Sequence, residues 1–353
     1  MVSLGIVEGF FGPRWSPEDR TFVMRYLAES GYRHYLYAPK ADQYLRKNWK
    51  QPYPKDELAQ LKAFASSCRK AGVRFGVGLS PFELYKSFDQ TARETLRAKL
   101  AELQALDLDE LAIFFDDMRG DLPDLAARQI EIMEFAAEHS VSKQISFCPT
   151  YYSDDAALDR VFGKRPSDYL ETLGLGLRPE IDIFWTGEEV CAREISPHHM
   201  KEIGTLLRRK PTLWDNYPVN DGPVKSQNLH IRGFTGRPAE NKNHIARHMV
   251  NPALQPHLSI IPALTLAESY ARGGDYKYSE AAHEAATRYL GQPFAAQLKS
   301  DLIALNDTGR DRLGAKVETL RAIYAKFDHP AAREILSWLD GKWENAGVEM
   351  EID

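Results

Sequence analysis

Short apolar runs recur through the first two-thirds of the chain, at residues 4–11, 34–38, 75–79, 111–115, 145–147, 181–185 and 212–214. They are apolar without strict polar alternation, which predicts strands covered on both faces. Between most of them, residues 16–29, 56–70, 89–106, 125–139, 167–173 and 197–208 carry apolar positions at three-to-four spacing and predict amphipathic helices. Several of these open on Ser or Asp and close near Gly31 or Gly72. Such β–α alternation, with right-handed crossovers, folds either as an open doubly wound sheet or as a closed (β/α)8 TIM barrel.

The residues just beyond each run favour the barrel. Successive runs end in Glu8-Gly9, Pro39-Lys40, Ser80-Pro81, Asp116-Asp117, Thr150-Tyr151-Tyr152, Thr186-Gly187 and Asp215-Asn216. A barrel brings all such ends to one rim, whereas an open sheet concentrates them near its switch point. The eighth strand is placed at residues 246–250, leading into Asn251-Pro252. No glycine-rich phosphate loop opens a helix, because Gly76-Val77-Gly78 lies inside a predicted strand. Beyond about Ser269 the pattern becomes rich in Ala, Leu, Lys and Glu, predicting helices over 279–290, 293–305, 314–327 and 330–343. The expected organisation is a catalytic barrel over 1–268 and a small C-terminal helical appendage over 269–353, its charges forming a solvated face.

Composition narrows the possibilities. With 353 residues, 43% of them hydrophobic, the chain can bury a large core, which excludes a disordered or fibrous protein. A net charge of -5 and a pI near 6.1 lack the basic excess of a general nucleic-acid binder. Mean hydropathy is -0.44 and no apolar stretch approaches a membrane span. With no leader pattern after Met1, the expectation is a cytoplasmic protein with neither nucleic-acid nor membrane partners, possible as a homodimer. Cys68, Cys148 and Cys191 show no close pairing, so neither a disulfide framework nor a zinc cluster is indicated, and Cys148 reads as a small buried apolar residue.

Asp116 and Asp117 are the most informative pair, set at the end of Leu111-Ala112-Ile113-Phe114-Phe115 and before Gly120 and Pro123. Two carboxylates forced together cannot ionise equally, so one tends to keep its proton near neutral pH, as glycoside hydrolysis commonly needs. Alone, the pair could equally be a helix cap with a solvated neighbour. The same rim also carries Lys40, Tyr151, Tyr152, Trp185, Trp214, Asn216, Asp221 and Asn251. Aromatic faces with Asn, Asp and Lys suit a sugar, whereas phosphate recognition would call for more Arg. Each has a bland alternative, with the tryptophans as core, Lys40 as surface, and Asn216, Asp221 and Asn251 as turn residues. Only their joint placement argues for a site. His244 and His248 are spaced i,i+4 on a possible helix but lack an intervening glutamate and a third ligand, so no metal is expected. His198-His199 reads as surface.

Several separated motifs resemble those of glycoside hydrolase family 84, the β-N-acetylglucosaminidases. They are Gly5-Ile6-Val7-Glu8-Gly9-Phe10-Phe11-Gly12, Tyr35-Leu36-Tyr37-Ala38-Pro39-Lys40, Phe115-Asp116-Asp117, Phe147-Cys148-Pro149-Thr150, Trp185-Thr186-Gly187, Trp214-Asp215-Asn216 with Asn220-Asp221, and Asn251-Pro252. They occur in the family's order over residues 4–270, and the C-terminal helices match no motif. The resemblance implies retaining, substrate-assisted hydrolysis of terminal β-linked N-acetylglucosamine through an oxazoline, with no cofactor. Asp116 would then orient the acetamido N–H, and Asp117 would be the general acid/base. By the same carry-over, the Gly9 carbonyl and Lys40 would contact hydroxyls, and Asp221 and Asn251 would hold the 4-hydroxyl side. Tyr152, rather than Tyr151, and Asn216 would serve the acetamido end. Trp214 would wall its pocket, and Trp185 would shape the site. Phe11 departs from a tyrosine frequent in the family, and Pro13-Arg14 reverses a usual order; neither falls on a matched sugar contact. Two other readings are a hydrolase of hyaluronan-like or cell-wall oligosaccharides with the same fold, and a catalytically silent sugar-binding barrel.

Overall fold

Eight parallel strands close into a barrel in chain order: β1 (Ser3–Glu8), β2 (Tyr32–Tyr37), β3 (Arg74–Leu79), β4 (Glu110–Phe114), β5 (Gln144–Cys148), β6 (Asp182–Trp185), β7 (Thr212–Asp215) and β8 (Arg247–Val250). The barrel closes where Gly5 of β1 pairs with Met249 of β8. This computed structural model describes residues 2–343. All eight predicted strands are present, the eighth included, and the barrel alternative holds over the open sheet. The first strand stops at Glu8 rather than residue 11. The Gly9 N–H folds back onto the Val7 carbonyl at 2.9 Å, sending Gly9, Phe10 and Phe11 across the rim.

The helices begin where their caps dictate. The Ser16 side chain accepts from the Asp19 N–H ahead of Pro17–Ala28, Asp89 does so from Ala92 ahead of Gln90–Gln104, and Ser196 from His199 ahead of Pro197–Leu206. Each cap satisfies an N–H that has no partner within its helix.

The two ends of the barrel interior differ in chemistry. Near the strand N-termini, Arg247 makes a bidentate ion pair with Glu110 at 2.6 and 2.8 Å and reaches Asp182 at 2.9 Å, a buried polar plug. Near the C-termini, Phe114, Phe184 and Trp214 pack edge-to-face with ring centroids 5.3–5.7 Å apart. This apolar floor needs small neighbours, since a Cβ on Gly78 would lie 2.5 Å from the Phe114 ring. The rim above it is therefore seated on rigid aromatic packing.

After β8, the helix Pro256–Arg272 packs against both Pro17–Ala28 and Tyr278–Leu290, and it runs unbroken through residues 268 and 269. The helices Tyr278–Leu290, Gln292–Ser300, Lys316–Tyr324 and Pro330–Leu339 follow. The predicted helix over 293–305 ends early, and a π-turn at Ala304–Thr308 follows it. Residues 344–353, assigned from sequence to the helical appendage, lie outside the described residues. No described helix is long and apolar enough to cross a membrane.

Candidate active site

Strand β4 delivers the aspartate pair. The Phe115 N–H still bonds the Cys148 carbonyl of β5 at 2.9 Å, so Asp116 leaves the strand with its direction fixed. Asp116 is 5% exposed. The backbone then turns sharply at Asp117, which adopts a left-handed φ of 56°, rare for a residue with a side chain. Lys40, held beyond β2 by its N–H on the Phe10 carbonyl at 3.1 Å, brings its ammonium against Asp116 Oδ2 and within 3.4 Å of Asp117 Oδ2. The Tyr152 hydroxyl donates to Asp117 Oδ1 at 3.1 Å. Asp116 Oδ1 is buried and has no hydrogen-bond partner among the described residues. Burial pushes the Asp116 carboxyl above its ordinary range, with Asp117 adding to the shift and Lys40 and Arg46 opposing it.

These groups line a rim cleft of about 620 Å³, its open mouth included. Gly9, Lys40, Asp116, Asp117, Tyr152, Trp214, Asn216, Asp221 and Asn251 all line it, whereas Tyr151 and Trp185, also placed on the rim from sequence, do not. Trp214 abuts Gly9 so closely that a Cβ there would fall 2.4 Å from the indole. The amides are linked to one another. Asn216 Oδ1 accepts from Trp214 Nε1 and from Asn251 Nδ2, each at 2.9 Å, and Asn216 Nδ2 donates to the Val190 carbonyl at 2.8 Å. Asn251 Oδ1 accepts from the Gly9 N–H at 3.3 Å. Asp221 precedes the short helix Gly222–Lys225 but makes no side-chain cap there, accepting instead from the Phe11 N–H at 2.7 Å. Burial lifts its carboxyl to about 6 against that bond and the pull of Lys225.

Behind this wall Asp215 is buried and bound twice by Arg237, at 2.6 and 2.7 Å. Arg237 also donates to the Ala192 and Arg193 carbonyls, tying β7 to the loop after β6 that supplies Val190. His248 reaches the same aspartate at 3.0 Å.

Some readings need correction. Trp185 is fully buried outside the cleft, its indole N–H donating to His199 Nε2 at 3.0 Å. His199 is accordingly buried, whereas its neighbour His198 is exposed. His248 lies on β8 rather than on a helix shared with His244, and the described residues contain no cluster able to hold a metal. Tyr151 turns away and donates to the Gly163 carbonyl at 2.5 Å. Phe11, which falls on no matched sugar contact, lines the cleft, as do Cys148, Val190, Cys191, Val219 and Lys225. Glycine and proline spacing across 187–196 and 217–223 marks those segments as loops, but nothing in their pattern shows which side chains turn inward.

The chain matches the profile of the beta-N-acetylglucosaminidase family over residues 4–306. It belongs to that family. Two curated relatives, the protein O-GlcNAcases of Mus musculus and Rattus norvegicus, are each 30% identical to it over 277 residues, 75% of this chain. That match spans 30% of the length of those relatives. Among solved structures, a mutant of the Thermobaculum terrenum O-GlcNAc hydrolase superposes with a TM-score of 0.79 at 27% identity, covering 96% of this chain and 80% of that one. These β-N-acetylglucosaminidases are glycoside hydrolases, in keeping with the family resemblance carried by the motifs.

Proposed function

We propose that this chain is a retaining exo-β-N-acetylglucosaminidase that removes terminal β-linked N-acetylglucosamine of the O-GlcNAc type, using the sugar's own 2-acetamido group as nucleophile. The acetamido oxygen bonds to the anomeric carbon as the bond to the leaving oxygen breaks, and Asp117 gives that oxygen its proton. Asp116 accepts the acetamido N–H and stabilises the positive charge that grows there. Water then adds to the anomeric carbon while Asp117 takes back a proton, reopening the oxazoline to the amide with net retention. No covalent bond to the enzyme is needed, which separates this route from the usual two-carboxylate scheme.

Asp116 carries the reading. Asp116 lines the cleft, with one of its oxygens taken by Lys40 and the other buried without a partner among the described residues, as an acceptor awaiting an N–H should be. Asp117 is more open than Asp116 and its carboxyl is held by the Tyr152 hydroxyl, suited to meeting a leaving oxygen and then water. In the same proposal the Gly9 carbonyl and Lys40 bind hydroxyls, and Asp221 and Asn251 bind the 4-hydroxyl side. Asn216 and Tyr152 serve the acetamido end beside Trp214. The cleft is lined by aromatic and apolar faces together with a few carboxyl, amide and ammonium groups, a combination suited to an acetamido sugar.

The test compares an aryl β-N-acetylglucosaminide, the matching aryl β-glucoside and an O-GlcNAc-modified peptide. Release from the first and third, with the glucoside essentially inert, is the expected result. Comparable hydrolysis of the glucoside would reject substrate assistance, because that sugar has no internal nucleophile.

A further inference from the structure

Arg46 has no sugar-binding role in the reading above and makes no ion pair among the described residues, yet it is only 7% exposed. A buried guanidinium without a carboxylate partner is costly, so its placement calls for a reason. It follows the turn Gln43–Leu45, with its guanidinium carbon 5.8 Å from the Phe11 ring centre and 5.7 Å from that of Phe82. The two rings fix where the cation sits. From there Nη2 donates to the main-chain carbonyl of Asp117 at 3.3 Å, and Nη1 is buried without a partner among the described residues. Asp117 is the residue whose left-handed backbone must be held by its surroundings.

We propose that Arg46 is a positioning residue for proton transfer: wedged beside Phe11 and Phe82, it grips the Asp117 carbonyl and so fixes the turn that aims the Asp117 carboxyl at the leaving oxygen. This rests on the assignment of Asp117 as the acid/base. Arg46 is not among the residues that line the cleft, and its bond is to the Asp117 main chain rather than to the carboxyl. Its loss therefore falls mainly on the step that needs a well-aimed proton, with a smaller effect through the Asp116 carboxyl, whose rise Arg46 opposes less than Lys40 does, and leaves sugar binding largely alone.

The experiment uses the full chain with Arg46→Met, Arg46→Lys and Asp117→Ala, each assayed on an aryl β-N-acetylglucosaminide with a poor leaving group and on one with a strongly activated leaving group. Misplacing a catalytic group by an ångström costs on the order of 10²-fold. For Arg46→Met a loss approaching that size is expected in kcat on the poor leaving group, with about 3-fold or less on the activated one and little change in KM. Arg46→Lys should lie between, because an ammonium can occupy the same place beside the rings but lacks the planar fork. If Arg46→Met does not fold, the Lys variant must show the same split at smaller amplitude. Equal losses on both substrates, or none, would overturn the positioning role. If Asp117→Ala shows the leaving-group split and the Arg46 variants do not, only this inference fails. If Asp117→Ala shows no split, the acid assignment fails and takes the inference with it.

Discussion

Lys40 places one ammonium against two consecutive carboxylates, meeting Asp116 Oδ2 directly and standing 3.4 Å from Asp117 Oδ2, with its own side chain 3% exposed. A shared cation in a desolvated site offsets the repulsion between adjacent acids, and it leaves Asp116 Oδ1 unoccupied. The acid pair and the lysine after β2 thus form one electrostatic unit, although 76 residues separate them in sequence.

Removing that cation should therefore do more than delete a hydroxyl contact. Lys40 opposes the burial that pushes the Asp116 carboxyl up, so Lys40→Met should raise that carboxyl further. The anionic form that receives the acetamido N–H in the proposed mechanism would then be lost at higher pH. The expected outcome is a fall in kcat/KM on the order of 10²-fold, with the acid limb of the pH–rate profile moved to higher pH. A variant of reduced rate whose acid limb stays in place would show that Lys40 serves binding only.

Asp221 should impose its own limb. Burial lifts its carboxyl from 3.8 to about 6, and in the proposed site it accepts sugar hydroxyls as an anion. Protonation as pH falls through about 6 should weaken substrate capture, so kcat/KM should decline there, and Asp221→Asn should flatten this decline while lowering the plateau by about 10-fold or more. The stability effect has the opposite sign. A carboxyl with a raised folded-state pKa costs stability as pH rises from 3.8 toward 6, so Asp221→Asn should unfold at a higher temperature than wild type at pH 7.

Gly9 is set by packing rather than by backbone freedom. An alanine Cβ would lie 2.4 and 2.7 Å from two atoms of the Trp214 ring, and that ring is backed by Phe114 and Phe184, so it cannot retreat. Gly9→Ala should lose about 1–3 kcal/mol in urea unfolding. It should also reduce kcat/KM by about 10-fold, as the Gly9 backbone is pushed off the indole and out of its place on the rim. Combining it with Trp214→Phe should cost less than the sum of the single changes, since the smaller ring relieves the clash.

The strands and the rim were legible because each uses a local signal: a short, mostly apolar run, then a polar or aromatic group where the chain leaves the barrel. Asp116, Lys40, Trp214 and Asn251 could be placed on one rim by that rule, and the structure sets them around one cleft. What stayed hidden depends on contacts distant in sequence. Arg46 acquires its position from Phe11 and Phe82, and His199 is buried by Trp185. Arg237 joins Asp215 to the Ala192 carbonyl across 45 residues. In each case the residue's own neighbours in sequence look like an ordinary loop or helix surface, so periodicity is silent. The i,i+4 spacing of His244 and His248 offered a possible helix beside the strand predicted over 246–250, and it is the strand, β8, that carries His248 into the core.

The C-terminal helices are tied to the barrel by a charge that sequence patterning would place on their solvated face. Glu334, in the helix Pro330–Leu339, is 7% exposed and accepts from the His257 and Leu258 N–H groups at 2.8 and 2.9 Å, capping the start of Pro256–Arg272 from outside that helix. Burial raises its carboxyl from 4.5 to about 8, while the two N–H bonds pull the other way. The folded protein therefore holds a proton that the unfolded chain releases above 4.5, and stability should decline as pH rises from there through about 8. Glu334→Gln keeps one acceptor and no titration. It should unfold more easily than wild type at pH 5, by about 1 kcal/mol for the lost bond, and its thermal midpoint should fall less between pH 5 and pH 9. Parallel declines in the two proteins would show that some other group governs the alkaline loss. Glu334→Ala, which leaves both helix N–H groups unpaired, should cost about 2–3 kcal/mol at every pH and serves as the reference for the cap itself.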